Sequence, residues 1–246
     1  MSELEKFKKE KKENIKKQFI KRNLGYDFIK KTADTNYTYN FSWLGRPIIQ
    51  VPQDIVAIQE LIWKTKPDLI IETGIAHGGS LIFSSSMLAL LEVCGEIKNG
   101  RVLGIDIDIR EHNKKLIQDH PMEKKITMIE GSSISETIID QVKKFVNNSK
   151  NIMVILDSNH THDHVLKELE LYGPLVSKNN YCIVMDTIVE DMPKDSYPDR
   201  PWDVGNNPKT AIKKYLESHA EFEIDEDIQN KLLITSSPDG YLKKIK

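Results

Sequence analysis

Residues 67–80, PDLIIETGIAHGGS, constrain the fold more than any other stretch of this chain. Leu69, Ile70 and Ile71 form an unbroken apolar run, too short for a helix and bounded by Pro67 and by glycines. That is the pattern of a strand buried on both faces of a parallel sheet. The strand ends in the carboxylate of Glu72; Gly74, Gly78 and Gly79 then lead into a helix-length apolar segment. In an open parallel sheet ligands gather at the carboxyl ends of the strands, and a glycine-rich turn lets the backbone approach them closely.

The turn also narrows what that ligand can be. A dinucleotide-binding turn reads G-x-G-x-x-G, but here Ala76 stands two residues after Gly74, so a pyrophosphate fits poorly. A cofactor without phosphates needs a wider turn and a carboxylate that accepts hydrogen bonds or faces a positive charge, which Glu72 supplies. The alternatives at this point are a nicotinamide-dependent oxidoreductase on a similar sheet and a tight turn that binds nothing.

The length, 246 residues, suits one α/β domain with a modest extension. No run approaches the about 18 apolar residues that span a bilayer and the N-terminus is charged, so a soluble, cytoplasmic protein without a transmembrane segment is expected. Cys94 and Cys182 sit in apolar segments and read as buried free thiols in a reducing compartment. Charge is uneven: residues 1–22 hold nine Lys or Arg against four Glu, so with a net charge of −2 overall the remainder carries −7. A basic segment can hold an anionic partner such as nucleic acid or a membrane surface. However, Leu4, Phe7, Ile15, Phe19 and Leu24 recur at near-helical spacing, which favours an amphipathic arm packed on its own domain or on a second subunit.

Residues 26–41 alternate aromatic and polar side chains (Tyr37, Tyr39, Phe41) and lead into Trp43-Leu44-Gly45-Arg46-Pro47, the pattern of a strand-like lid or edge piece. Ile55, Ile58, Leu61 and Ile62 mark a helix over 52–65. Beyond the first strand, strands are predicted at 101–107, 126–130, 152–157 and 181–186, and helices at 80–93, 111–118, 135–146 and 164–175. A helix over 208–218 and closing strands at 222–225 and 232–236 complete the chain. This alternation predicts a Rossmann-like α/β fold: a mostly parallel seven-stranded sheet with helices on both faces and an N-terminal helical extension. The division is a basic helical arm with a lid segment at 1–50 and one domain at 51–246. The connection 187–207 is long and rich in Pro, Asp and Asn, as functional loops are.

Every predicted parallel strand ends in a polar signal: Glu72, Asp106, Glu130-Gly131-Ser132, Asp157 and Asp186. Those ends share one rim of the sheet, so the acids converge on a single crevice. Asp106 is placed to accept hydrogen bonds from ribose hydroxyls, with Asp108 as the fallback. Gly131 and Ser132 are placed to border an adenine ring, although 132–135 equally supplies caps for the following helix. In ILDSNHTHDH (155–164) three histidines crowd the turn after Asp157. Their alternate spacing is not that of a helical zinc site, and oxygen-rich Asp157 with Asp186 suits a hard ion such as Mg²⁺. His160 then reads as a general base, and His162 and His164 as structural.

These residues give the chain a family likeness. From about Trp43 to the C-terminus it resembles the cephalosporin hydroxylase family, relatives of the S-adenosylmethionine- and Mg²⁺-dependent sugar O-methyltransferases of rhamnosyl and macrolide type. The resemblance rests on WLGRPIIQVPQD, PDLIIETGIAHGGS, VLGIDIDIR, EGSS, ILDSNHTHDHV, VMDTIVEDMP, RPWDVGNNPKTAI and SPDGYLKK. It implies a class I methyltransferase fold for 51–246 and methyl transfer rather than oxidation. It also implies that Glu72, Gly74, Gly79 and Ser80 line the methionine end of S-adenosylmethionine, that Asp106 meets its ribose, and that Gly78 and Asp157 belong to the cofactor site. Asp157 and Asp186 would hold Mg²⁺, and His160 falls where macrolide-type relatives place a base. One departure stands out: metal-dependent relatives carry a Glu-Asp pair at the end of the fifth strand, and here Met185 precedes Asp186. A thioether is a poor Mg²⁺ ligand, so either Glu190, Asp191 or water completes the shell, or this member binds the metal weakly or not at all.

The reaction so implied is methyl transfer to a hydroxyl of a sugar or nucleotide-sugar acceptor, held by Arg200, Trp202 and Asn206 with Tyr39 and Trp43. No nucleic-acid partner is expected, and self-association through the arm is. The alternatives are an NAD(P)-dependent oxidoreductase, a class I methyltransferase for a non-sugar small molecule, and a cofactor-free scaffold.

Overall fold

In the computed structural model, which describes residues 2–246, the chain opens with two helices; Met1, the first residue of the arm, lies outside the described residues. Helix α1 (Glu3–Gln18) begins with a reciprocal cap in which Ser2 Oγ accepts the Glu5 N–H and the Glu5 carboxylate accepts the Ser2 N–H. None of its residues is buried, and Leu4 and Phe7 are exposed. Helix α2 (Arg22–Thr32) is anchored: Gly25 is buried and Arg22 Nε donates to Asn230 Oδ1 at 2.8 Å.

The strand-like segment expected over 26–41 is instead the rest of α2 and short 3-10 turns. The Tyr37 ring stands edge-on to Phe28 at 5.1 Å and to Phe41 at 5.2 Å. The two-residue aromatic spacing therefore reflects a local cluster, folded at Asn36 with its φ of 50°. A small hairpin of β1 (Ser42–Trp43) and β2 (Arg46–Pro47) follows.

The main sheet is built from α3 (Pro52–Thr65), β3 (Leu69–Thr73), α4 (Gly79–Val93), β4 (Arg101–Asp106), α5 (Glu111–Gln118), β5 (Ile126–Glu130), α6 (Glu136–Val146), β6 (Ile152–Leu156), α7 (His162–Tyr172), β7 (Tyr181–Val184), α8 (Pro208–Leu216), β8 (Phe222–Ile224), α9 (Glu226–Leu232) and β9 (Tyr241–Lys244). Its order is β5-β4-β3-β6-β7-β9-β8, parallel from β5 to β7 and antiparallel at β9 and β8. Strand alternation sends Ile70, Val102, Met153 and Ile183 into one core with α3 and α4; Ile71, Leu103, Val154 and Val184 enter a second with α6, α7 and α8. Burial on both faces is why these strands read as solid apolar runs. Cys182 on β7 is buried, whereas Cys94, expected to be buried too, is exposed because it lies just past the end of α4.

The closing strand expected at 232–236 lies elsewhere. Residue 232 ends α9, and 235–237 forms a buried polar loop, leaving β9 as the last strand. The cause is Asp54 on α3, fully buried, whose carboxylate accepts the Thr235 hydroxyl, the Ser236 N–H at 2.8 Å and the Tyr241 hydroxyl at 2.7 Å. Side chains that satisfy a buried acid cannot also form a regular ladder.

From β3 the chain moves outward through β4 to β5, then returns to the other side of β3 as β6. The switch point of the sheet is thus the β3/β6 seam. In this class of fold the crevice opens above that seam.

Candidate active site

At the top of β3, Glu72 is 1% exposed. One carboxylate oxygen accepts the Ser80 hydroxyl, and the other has no protein partner. Burial pushes its pKa up to about 7 against the pull of the Ser80 hydrogen bond. Gly74 follows with φ 89°, and a Cβ there would lie 1.9 Å from the Asp157 carbonyl oxygen, so only glycine lets the β3 turn lie flat on the end of β6. Ala76 is also left-handed, at φ 44°. Asp106 at the top of β4 braces this turn: its carboxylate accepts the Ile75 N–H at 2.7 Å and the Ala76 N–H at 3.3 Å. Arg46 clasps the turn from outside by donating to the His77 carbonyl. A pocket of about 40 Å³ remains between the turn, residues 47–50, Ser80 and Asp157.

Across the seam, Asp157, His160 and Asp186 each offer a ligand atom within 4.8 Å of the others. His160 Nε2 is 3.2 Å from Asp186 Oδ2. Burial, then the carboxylates of Asp186, Glu72, Glu168 and Asp54, hold the Asp157 carboxyl well above its usual pKa. Asp186 sits in the left-handed region at φ 55°, a strained position of the kind that functional turns retain.

The loop 187–207 folds over this trio. The Trp202 ring meets the His160 ring edge-on at 4.7 Å, and the Arg200 guanidinium stands 5.3 Å from the Trp202 centroid. Burial and the Asp186 charge raise the Tyr197 pKa to about 12, so its phenol stays a hydrogen-bond donor near the acids.

Two observations test the fit of the implied groups. The partnerless, buried Glu72 oxygen beside a glycine cradle suits a cationic methionine end. Two mutually repelling carboxylates suit a divalent cation, and because Mg²⁺ prefers oxygen, the His160 nitrogen is left for other work.

Comparison with known proteins decides the family: residues 35–245 match the profile described as rhamnosyl O-methyltransferase/CmcI. The chain belongs to this family. Among its relatives, the rhamnosyl O-methyltransferase of Mycobacterium bovis is 29% identical over 191 residues, 77% of this chain and 72% of the relative. That of Mycobacterium leprae is 27% identical over 210 residues, 84% and 85% of the two chains. A solved structure of CmcI with Mg and SAM superposes at a TM-score of 0.57 with 18% identity, over 85% of this chain and 78% of the other, a likeness of fold. This family member is an S-adenosylmethionine-dependent O-methyltransferase, which sets the oxidoreductase and scaffold alternatives aside.

Several residues singled out in the sequence lie in other surroundings in this O-methyltransferase. Glu190 does not join the Asp157 group; its carboxylate accepts the Gly205 N–H at 2.8 Å and the Asn207 side-chain amide, holding the loop in shape. Asp191 is likewise taken, by Lys209 at 2.8 Å. The Asn206 side chain accepts the His162 N–H at 2.9 Å and donates to the Pro201 carbonyl at 2.9 Å, so its amide is committed to tying the loop to the start of α7. Trp43 packs edge-on against Phe83 at 4.9 Å and donates its indole N–H to Ser86, a core role. Tyr39 is exposed on the 3-10 turn before the hairpin. Met185 is buried in the core that holds α3, in contact with the Ser237 hydroxyl.

Asp108 is exposed beside Arg110 and donates its N–H to Asp106. Gly131 and Ser132 top β5, while Ser135 caps α6 through the Ile138 N–H. His162 bonds Thr210, and His164 lies 3.0 Å from Ser133 Oγ and 3.3 Å from Ser158 Oγ, tying the β5 and β6 turns together. Sequence reasoning missed Tyr197, since only its place near Asp186 marks it. A larger hollow of about 460 Å³ lies at the opposite rim, among Lys66, Asp68, Glu96 and Arg101, and its Lys66 and Glu96 pair with each other. Among the described residues no helix is long and apolar enough to cross a membrane.

Proposed function

We propose that the protein methylates a hydroxyl of a sugar or sugar-bearing acceptor, with His160 as general base and Mg²⁺ held by Asp157 and Asp186. The observation that carries this reading is the meeting of Asp157, His160 and Asp186 at the switch point, directly beside the Glu72 turn. Glu72, Gly74, Gly79 and Ser80 would hold the methionine end of the cofactor, Asp106 its ribose, and Gly131 with Ser132 its base.

S-adenosylmethionine, when bound, supplies a methyl group on a sulfonium; as the S–CH₃ bond breaks and an O–CH₃ bond forms, the products are a neutral thioether and one proton. Mg²⁺ would supply Lewis acidity that makes an acceptor hydroxyl easier to deprotonate. His160 takes that proton on the ring nitrogen that does not face Asp186, while its Nε2, 3.2 Å from the Asp186 carboxylate, is oriented by that group, which also stabilises the imidazolium that results. Trp202 provides a flat wall beside His160, and Tyr197, protonated at neutral pH, offers a donor to a neighbouring hydroxyl. Positioning accounts for most of the rate, because the methyl donor arrives activated.

The sugar class draws support from the names of the mycobacterial relatives. The test is transfer of labelled methyl from S-adenosylmethionine to a panel of sugars and nucleotide sugars, with and without EDTA. Labelled methyl ether that disappears with EDTA supports the reading. Full activity in EDTA removes the metal from it, and no bound or consumed donor removes the cofactor.

A further inference from the structure

We infer that the acceptor carries an anionic group, a carboxylate or a phosphate ester, close to the methylated ring, and that Arg200 holds it. This names the substrate class of the site just described and rests on that reading. The chain His160, Trp202, Arg200 is continuous, with separations of 4.7 and 5.3 Å. The guanidinium and the imidazole thus share one indole as neighbour.

Arg200 is exposed, and among the described residues its guanidinium forms no ion pair. Partners were available within the loop, since Asp195, Asp199 and Asp203 lie close in sequence. Asp203 instead accepts the Asp195 N–H at 3.1 Å, and Arg200 uses only its backbone N–H locally, on Tyr197. Another cation at this end, Lys209, is consumed by Asp191 at 2.8 Å and Asp239 at 3.0 Å. Packing of an exposed guanidinium on the half-buried Trp202 indole contributes only about 0.5–1 kcal/mol, and none of the three loop acids forms an ion pair with it. A planar fork of donors left open beside an aromatic wall matches the two oxygens of a carboxylate or phosphate. An anionic acceptor entering beside the carboxylates of Asp157 and Asp186 requires one cation on its own side.

The test uses the full-length protein with S-adenosylmethionine and Mg²⁺, offered acceptors matched except in charge: glucose, glucuronate and glucose 1-phosphate, and rhamnose with rhamnose 1-phosphate. Methyl transfer is measured, and binding is read separately on protein saturated with S-adenosylhomocysteine. At least one charged sugar is expected to exceed its neutral counterpart by about tenfold or more in kcat/KM, as a charge-assisted pair implies. Arg200→Gln should bring that ratio close to one and Arg200→Lys should keep part of it. Preference for glucuronate identifies a carboxylate; preference for the 1-phosphates identifies a phosphate ester. Neutral sugars used as well as charged ones, a preference that survives Arg200→Gln, or no charged sugar bound by a protein that does bind S-adenosylhomocysteine would each overturn the anionic assignment and leave the methyltransferase reading standing. Failure to bind S-adenosylhomocysteine would instead overturn both.

Discussion

Replacing Glu72 by Gln separates what this carboxylate costs the fold from what it does for the cofactor. Its pKa rises from 4.5 to about 7 on folding, so between those values the native state binds more protons than the unfolded chain. Stability therefore falls as pH rises through that window: the cost is absent below pH 4.5 and complete above about 7. At 1.36 kcal/mol per unit, it reaches roughly 3 kcal/mol. A neutral Gln of the same shape escapes it, although its amide donor would lack a partner where the second oxygen now lies free. The diagnostic quantity is therefore the pH dependence. Urea unfolding at pH 5, where part of the cost is already present, and at pH 8 should show the stability difference between variant and wild type moving by about 2.5 kcal/mol in the variant's favour. Titration with S-adenosylhomocysteine at pH 8 should show the variant binding about 10- to 100-fold more weakly, the range for a lost charge-assisted contact. Wild-type affinity should decline as pH falls below about 7, and that of Glu72→Gln should stay flat. A pH-independent stability difference together with unchanged affinity would refute both the buried charge and its partner.

Three further outcomes follow from the geometry. His160→Ala should lower kcat by about 10²- to 10⁴-fold without weakening S-adenosylhomocysteine binding, and undiminished turnover would place the base elsewhere. Asp54→Ala leaves the Thr235, Ser236 and Tyr241 donors buried without a partner, so urea unfolding should show a loss of roughly 3 kcal/mol or more; a loss under about 1 kcal/mol would mean the 233–240 loop is held by other contacts. Deleting residues 1–18 removes a helix with no buried residue, so the unfolding midpoint should move by no more than about 2 °C. If the exposed Leu4 and Phe7 face packs on a second copy, the same deletion should lower the mass seen in sedimentation; an unchanged mass would exclude the arm as that contact.

What the sequence could disclose followed from burial. A parallel strand covered on both faces is an unbroken apolar run, so the first polar residue after it marks the rim; Glu72, Asp106, Asp157 and Asp186 were all legible in this way. What a side chain does once a loop folds back was not legible. Glu190 and Asn206 have the composition of ligands, yet a long loop brings backbone amides that need partners, and these two side chains meet the N–H groups of Gly205 and His162. Their roles depend on where residues 15 and 44 positions away come to lie, which no local pattern encodes. Tyr197 shows the converse, a residue in an irregular stretch that gains chemical meaning only from the nearby Asp186 charge. The 232–236 segment failed as a strand for the same reason, because buried Asp54, far away in sequence, claims Thr235 and Ser236. Acids fixed by strand ends are thus set by local pattern, whereas acids in connecting loops are set by whichever donors the tertiary fold leaves short of an acceptor. Loop acids such as Asp191 and Asp203 therefore belong with the loop until an ion or substrate is shown to draw them away from Lys209 and the Asp195 N–H.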